Sequence, residues 1–510
     1  MLFSRSTSQN RCSALVLVLV WSITPGTAQT ASPGLQEARK ELFAAHYEKA
    51  VELYSSALHE DSSQVEAYYG LVRALLSAKR QEDAYKAADS ALHISPQSAA
   101  TQSAAGLAEY RRAEFAKAET YFRTALRIDS NYPGALAGLA SVLSTVSKFK
   151  TARDLTEMAY RLSPDDPELQ LEHASTLKGK EHIAALEAAL RLLAPESEMA
   201  QYLTAHVARD LALDGRNLQR LATPYQTTKI KLMNFIEGAT KKPVVGLQLR
   251  LNGRQKATVL LDSGASGLSL SPAMASKAGL EILGGARTPA KGIGDQAALP
   301  SVAYLASELQ IGDVRFSNYP ISVFKSAANT DYDGIIGPSV FDDFIVVIDF
   351  PRMELSLETR PGLQPADSDE PIDSDAPASG FFRVFRIGNH LAIPTVLNDK
   401  KSSLFLLDSG STNNLVDTEV ARSATTVHND SFTTVTGIQG KVKNTSVADK
   451  ITLVFAGFRQ ENLDLVAISL DKASDDFGVD LGGVLGMPVL AQLKMTIDYR
   501  QGTVRFEHRK

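Results

Sequence analysis

Two identical turns 146 residues apart constrain this chain more than anything else in it. An apolar run ends in Leu260, Leu261, Asp262, Ser263, Gly264, and again in Leu406, Leu407, Asp408, Ser409, Gly410. The flanks repeat as well. Asn252 stands ten residues before Asp262, as Asn398 stands ten before Asp408. Gly292-Ile293-Gly294 is answered by Gly437-Ile438-Gln439, and Gly334-Ile335-Ile336-Gly337 by Gly483-Val484-Leu485-Gly486. Near the ends, Ile348-Asp349-Phe350 matches Ile497-Asp498-Tyr499. A duplicated module that sets one aspartate at the end of a buried strand builds a carboxylate pair, and such a pair can activate water.

The N-terminus reads as a targeting segment. Arg5 and Arg11 precede the apolar stretch Ala14 to Ile23, and Pro25 and Gly26 then break any helix. Gly26-Thr27-Ala28 offers the small residues that a signal peptidase reads. This ten-residue stretch, apolar but for Ser22, is too short to span a bilayer, so residues 1–28 are expected to be a cleaved signal peptide, with membrane attachment only if it is retained. The only cysteine, Cys12, lies within it. A mature chain without thiols excludes disulfides, a cysteine nucleophile and thiolate metal sites. The nine histidines are scattered without a His-Glu-x-x-His pair, so no metal or other cofactor is expected. The net charge of −5, with no recurring basic cluster, speaks against nucleic acid as a partner. The compartment expected is a periplasm or the exterior.

From about residue 35 to 195 the pattern is helical and repeats every 34 residues. Ala50, Ala84, Ala118 and Ala152 keep that step, and Ala57, Ala91, Ala125 and Ala159 keep it seven residues later. Between them stand Tyr54, Ala88, Phe122 and Thr156, while Pro96 and Pro164 close the second and fourth units. Small residues let paired helices approach, and proline stops the second helix of a pair. The stretch resembles a tetratricopeptide repeat (TPR) array of about four units, although Val72 and Ala140 replace the glycine that Gly106 keeps. The resemblance implies either a groove for a protein partner or a scaffold that positions the rest. Residues 196–225 are expected to form a helical cap and a linker.

After residue 225 the texture changes to short alternating strands with glycine turns. Residues 361–380 hold Pro361, Pro365, Pro371 and Pro377 with acidic residues and no lysine or arginine, and read as a solvated linker between two lobes, 226–360 and 381–510. Asp262-Ser263-Gly264-Ala265 and Asp408-Ser409-Gly410-Ser411, each followed by a glycine hairpin and then by Ile335-Ile336-Gly337 or Val484-Leu485-Gly486, are similar to the retropepsin family of aspartic proteases. Serine replaces the family's commoner threonine, and two units share one chain where viral enzymes use a homodimer.

The fold class expected is therefore multidomain α + β, an α-solenoid of TPR-like helix pairs followed by two β-rich retropepsin-like lobes. The resemblance implies an aspartic endopeptidase acting on a peptide or protein substrate. Asp262 and Asp408 are its catalytic pair, and Ser263, Gly264, Ser409 and Gly410 support them. Gly292, Ile293, Gly294, Gly437 and Ile438 form flaps over the substrate. Asp295, Asp349 and Asp498 read as structural or solvated, and Asp342 and Asp343 as a capping pair for a short helix. Two other readings remain open: a peptide-binding lobe pair that has lost catalysis, and an envelope scaffold in which the repeats do the work.

Overall fold

The computed structural model describes residues 32–508 apart from 214, 217, 237–242, 327–330, 361–372, 374–375 and 431. The expected signal peptide with Cys12, and Pro361, Pro365 and Pro371 of the linker, lie outside the described residues. Among the described residues no helix is long and apolar enough to cross a membrane.

Helical repeats come first. They comprise α1 (Pro33–Phe43), α2 (Tyr47–Glu60), α3 (Val65–Ser77), α4 (Gln81–Ile94), α5 (Ala99–Arg111), α6 (Phe115–Ile128), α7 (Pro133–Thr145), α8 (Phe149–Leu162), α9 (Pro167–Thr176), α10 (Gly179–Leu190) and α11 (Glu198–Ala212). Both alanine series are buried where these helices cross. Phe122 is wedged between Gly106 and Gly138, where a methyl group would come within 2.6 and 2.2 Å of its ring. The large residue needs small ones opposite, since interiors pack without slack. The backbone repeats with the sequence: Ala45, Lys79, Ala113 and Ser147, one in each turn from the first helix of a pair to the second, all have φ between 60° and 64°. The array's far end returns to its beginning, where Ala194 N–H donates to the Ala44 carbonyl at 3.1 Å.

Two β-rich units follow. In the first, the strand Gln255–Leu261 pairs antiparallel with Pro243–Leu251 and parallel with Gly334–Ile336. In the second, Lys401–Leu407 pairs antiparallel with His390–Leu397 and parallel with Gly483–Leu485. The short helices α12 (Pro272–Ala278), α13 (Thr418–Ala424) and α14 (Asp471–Phe477) complete them. A six-stranded sheet joins the units, because Ile345–Asp349 of the first pairs antiparallel with Leu493–Asp498 of the second. Asp349 and Asp498 sit at these strand ends and accept from backbone N–H groups of the following turns, Asp349 from Arg352 and Asp498 from Arg500 and Gln501.

Residues 196–225 hold the expected helix, and it packs beyond the array. α11 lies against the strand Glu281–Ala290, with Leu213 buried on Leu283 and Leu305, and Arg220–Leu221 adds a strand to the first unit. Asp342, expected as one of a capping pair, stands at the C-terminal end of the short helix Pro338–Phe341. Within the linker, Asp373 is exposed but accepts from the Thr151 N–H at 3.0 Å, on the first turn of α8.

The array and the second unit share one continuous apolar core that runs from Phe115, Phe122 and Leu139 to Leu404, Leu406 and Val484. Phe115 meets Phe385 across the boundary with ring centroids 4.6 Å apart. Arg111, 5% exposed, crosses it too, donating to the Ser474 carbonyl at 2.8 Å and pairing with Asp475 at 2.9 Å. A chain lacking residues 29–215 is therefore expected to bind a hydrophobic dye and to melt at lower temperature than the full chain; an unaltered melting curve for its β-rich units would show the array to be dispensable.

Candidate active site

Each aspartate stands where a buried strand runs out of partners. Asp262 N–H donates to the Ile336 carbonyl and Asp408 N–H to the Leu485 carbonyl, both at 3.0 Å, which continues each parallel pairing by one residue. Behind the turns, Gly337 and Gly486 pass so close to the backbone of Ala265 and Asn413 that an added methyl would lie 2.1 and 2.2 Å from their carbonyl oxygens. This explains the distant glycine in each copy of the motif. It lets the chain cross behind the turn.

The two turns lock together through their serines. Ser263 N–H donates to Ser409 Oγ at 3.0 Å, and Ser409 N–H to Ser263 Oγ at 2.9 Å. Each hydroxyl then donates onward to the opposite strand, Ser263 to the Leu407 carbonyl and Ser409 to the Leu261 carbonyl, both at 2.9 Å. With exposures of 1% and 0%, neither has water to fall back on. Leaving one buried partner unpaired costs about 1–3 kcal/mol.

This lock brings the carboxylates face to face. A methyl on Gly264 would lie 2.6 Å from Asp408 Cγ, and one on Gly410 would lie 2.4 Å from Asp262 Cγ, so only glycine fits after each serine. Gly264 N–H donates to Asp262 Oδ1 at 2.7 Å and Gly410 N–H to Asp408 Oδ1 at 2.8 Å. Asp262 keeps part of its surface accessible, yet the protein packed around it removes enough water to raise its pKa well above the usual range. The charge of Asp408 and a hydrogen bond between the two carboxyl groups raise it further, against the Gly264 and Gly410 amides. Such a pair holds one proton where two isolated carboxylates would hold none.

Above the turns the expected flap residues meet one another. Gly292 N–H donates to Gln439 Oε1 at 3.0 Å, Gln439 N–H to the Ile293 carbonyl at 3.1 Å, and Gln439 Nε2 to the Gln296 carbonyl at 3.0 Å. Gly294, at φ 132°, lies against the backbone of Gln439, and Gly437 against the Ile293 carbonyl. Ile438 packs on the cluster of Val244, Leu260 and Ile335, as does Ala265 of the Asp262 turn. Asp295 is exposed, as expected of a solvated residue, and accepts from Lys443 N–H at 2.6 Å. A cavity of about 690 Å³ lies beside these hairpins, lined by Ile293, Asp417, Arg422, Lys443 and Leu470 but by neither Asp262 nor Asp408.

Sequence reasoning passed over two residues here. Gln439 read as a mere substitute for a glycine, yet its buried amide ties the two hairpins together. His390 lies beside the dyad, with its ring edge-on to Phe477 at 4.7 Å and Nδ1 3.3 Å from the Ile387 carbonyl. Burial lowers its pKa, opposed by the Ile387 carbonyl, Asp408 and the Gly264 carbonyl. The signal was available: the matching position of the first copy is Val244, and a histidine where the twin has valine marks a difference the fold does not require.

Residues 247–340 match the aspartyl protease family model. The match begins before Asp262, takes in Gly292-Ile293-Gly294 and ends just past Gly334–Gly337. It supports an aspartyl protease domain and, with it, a peptidase-type hydrolase. No curated protein matches the chain.

A carboxyl whose folded pKa exceeds its unfolded value stabilises the fold below the unfolded pKa, about 4; that contribution is lost as pH rises through the folded pKa. Asp262→Asn should therefore melt at higher temperature than wild type at pH 7, with the gain shrinking toward pH 4. Melting curves across that range test it; a gain that is flat with pH would mean that Asp262 is not held protonated.

Proposed function

We propose that this chain is an exported aspartic endopeptidase in which Asp262 and Asp408 form one intramolecular dyad between two retropepsin-like lobes. The observation that carries the reading is the reciprocal serine lock, which faces two carboxylates toward one another on turns of identical sequence. Within the pair, the charged carboxylate takes a proton from a water molecule as it attacks the peptide carbonyl, and the protonated one donates to the carbonyl oxygen. No further group is needed for these proton transfers. The zipped flaps must part to admit an extended peptide and then close over it, excluding bulk water. His390, kept neutral by burial at neutral pH, adds positive charge near Asp408 only in more acidic solution and there favours the ionised dyad.

Export rests on the arginine-flanked apolar stretch before Gly26-Thr27-Ala28. For the TPR-like array we favour the scaffold role over a partner groove. Arg73 reaches across it to Asp166 at 2.7 and 3.1 Å and to Glu168 at 2.7 Å, so the array's own ion pairs bridge from α3 to α9.

The purified mature chain should cleave extended, apolar-rich peptides at mildly acidic pH and be blocked by a pepstatin-type mimic of the hydrated carbonyl. Asp262→Asn and Asp408→Asn should each lower turnover by at least about a hundredfold with the melting transition retained. Undiminished cleavage by either variant would remove the dyad. Peptide binding without cleavage by the wild type would favour the non-catalytic lobe pair instead.

A further inference from the structure

α14 touches three parts of the molecule at once. Toward the array, Arg111 holds the Ser474 carbonyl and Asp475, and Gln81 donates to Asp475. Just beyond its end, Tyr85 donates to Asp480 at 2.7 Å and Asp480 N–H to the Arg111 carbonyl at 2.6 Å. Toward the first flap, Lys472 Nζ donates to the Gly294 and Gln296 carbonyls at 3.1 and 2.8 Å, and Lys291 pairs with Asp476 at 2.7 Å. Toward the dyad, Phe477 packs on His390. The connection that carries α14, from Ala467 to Gly483, is longer than its counterpart in the first unit, from Val323 to Gly334.

The same flap is held at its base. α11 packs against Glu281–Ala290, the strand that leads into Gly292-Ile293-Gly294, and the Ala208 carbonyl lies 2.5 Å from where a methyl on Gly284 would sit. Arg216 pairs with Glu281 at 2.8 Å on the same strand. The flap of the first unit is therefore fixed at its root by the last helix of the array, and at its tip by a helix that the array grips.

We infer that the helical array sets the closed position of the first flap through α14, with Arg111 as the positioning residue. This builds on the peptidase reading but names a different part of the molecule, since Arg111 touches neither aspartate nor flap. Arg111 fixes the carbonyl and carboxylate face of α14, which leaves Lys472 one place from which to reach both flap carbonyls. Without that anchor α14 shifts and the flap loses two charge-assisted hydrogen bonds. Losing one such bond changes an opening equilibrium by roughly tenfold.

The test uses the full chain and four variants: Arg111→Met, Arg111→Lys, Lys472→Met and the double Arg111→Met/Lys472→Met. Amide hydrogen exchange of residues 291–296 reads flap opening, and steady-state cleavage of a peptide gives KM and kcat. Arg111→Met and Lys472→Met should each speed flap exchange by about tenfold and raise KM more than they lower kcat. The double variant should add little to either, and Arg111→Lys should recover part of the effect. Exchange in Leu493–Asp498 should stay slow throughout. The inference is overturned if Arg111→Met lowers the melting temperature but leaves flap exchange unchanged, or if the two effects multiply. Should Arg111→Met fail to fold, Lys472→Met alone decides, and unchanged flap exchange in it overturns the proposal. A wild-type chain that cleaves nothing defeats the peptidase reading, while the exchange comparison still decides whether the array holds the flap.

Discussion

Four hydrogen bonds between Ser263 and Ser409 and the strands that present them hold the two halves of this molecule in register. Each serine uses its hydroxyl twice, accepting an amide from its twin and donating to the strand end opposite. The arrangement is closed, because losing one oxygen orphans a donor on one side and an acceptor on the other. Buried polar groups tolerate that poorly. Everything that makes the site chemically unusual, the crowded carboxyls above all, requires these turns to stay pressed together although the pair resists a second charge.

That resistance is balanced elsewhere. Ile345–Asp349 and Leu493–Asp498 zip the units together from one side, and the flaps meet through Gln439 on another. The helical array adds a third restraint. It touches the first unit through α11 and the second through a common apolar core and Arg111. A buried guanidinium with one carbonyl and two carboxylates around it is costly to break by halves, so the array behaves as part of the site's frame more than as a separate attachment.

The duplicated turns, their glycine partners and the 34-residue helical step were legible because each rests on local rules that repeat. Small residues sit where helices cross, and glycine sits where a carboxylate or carbonyl stands within about 3 Å of a missing methyl. What the sequence concealed were contacts with no periodicity. Arg111 is one arginine among many until α5 is laid against α14, and α11 read only as a cap on the array because its other contact is with a strand some seventy residues later. An acidic pair beside a short helix left open which end Asp342 would take. His390 was hidden differently, since similarity between the copies drew attention and the places where they differ did not.

That difference carries a consequence for how a cleft of this kind handles direction. In a dimer of identical subunits a peptide chain and its reverse meet the same walls, and the two-fold axis cannot tell left from right. Here Val244 stands among Leu260 and Ile335 on one side, and His390 stands against Phe477 on the other. Joining both halves in one polypeptide freed each to change alone. Under the peptidase reading, the two ends of a bound strand would therefore meet different walls, and its polarity would matter.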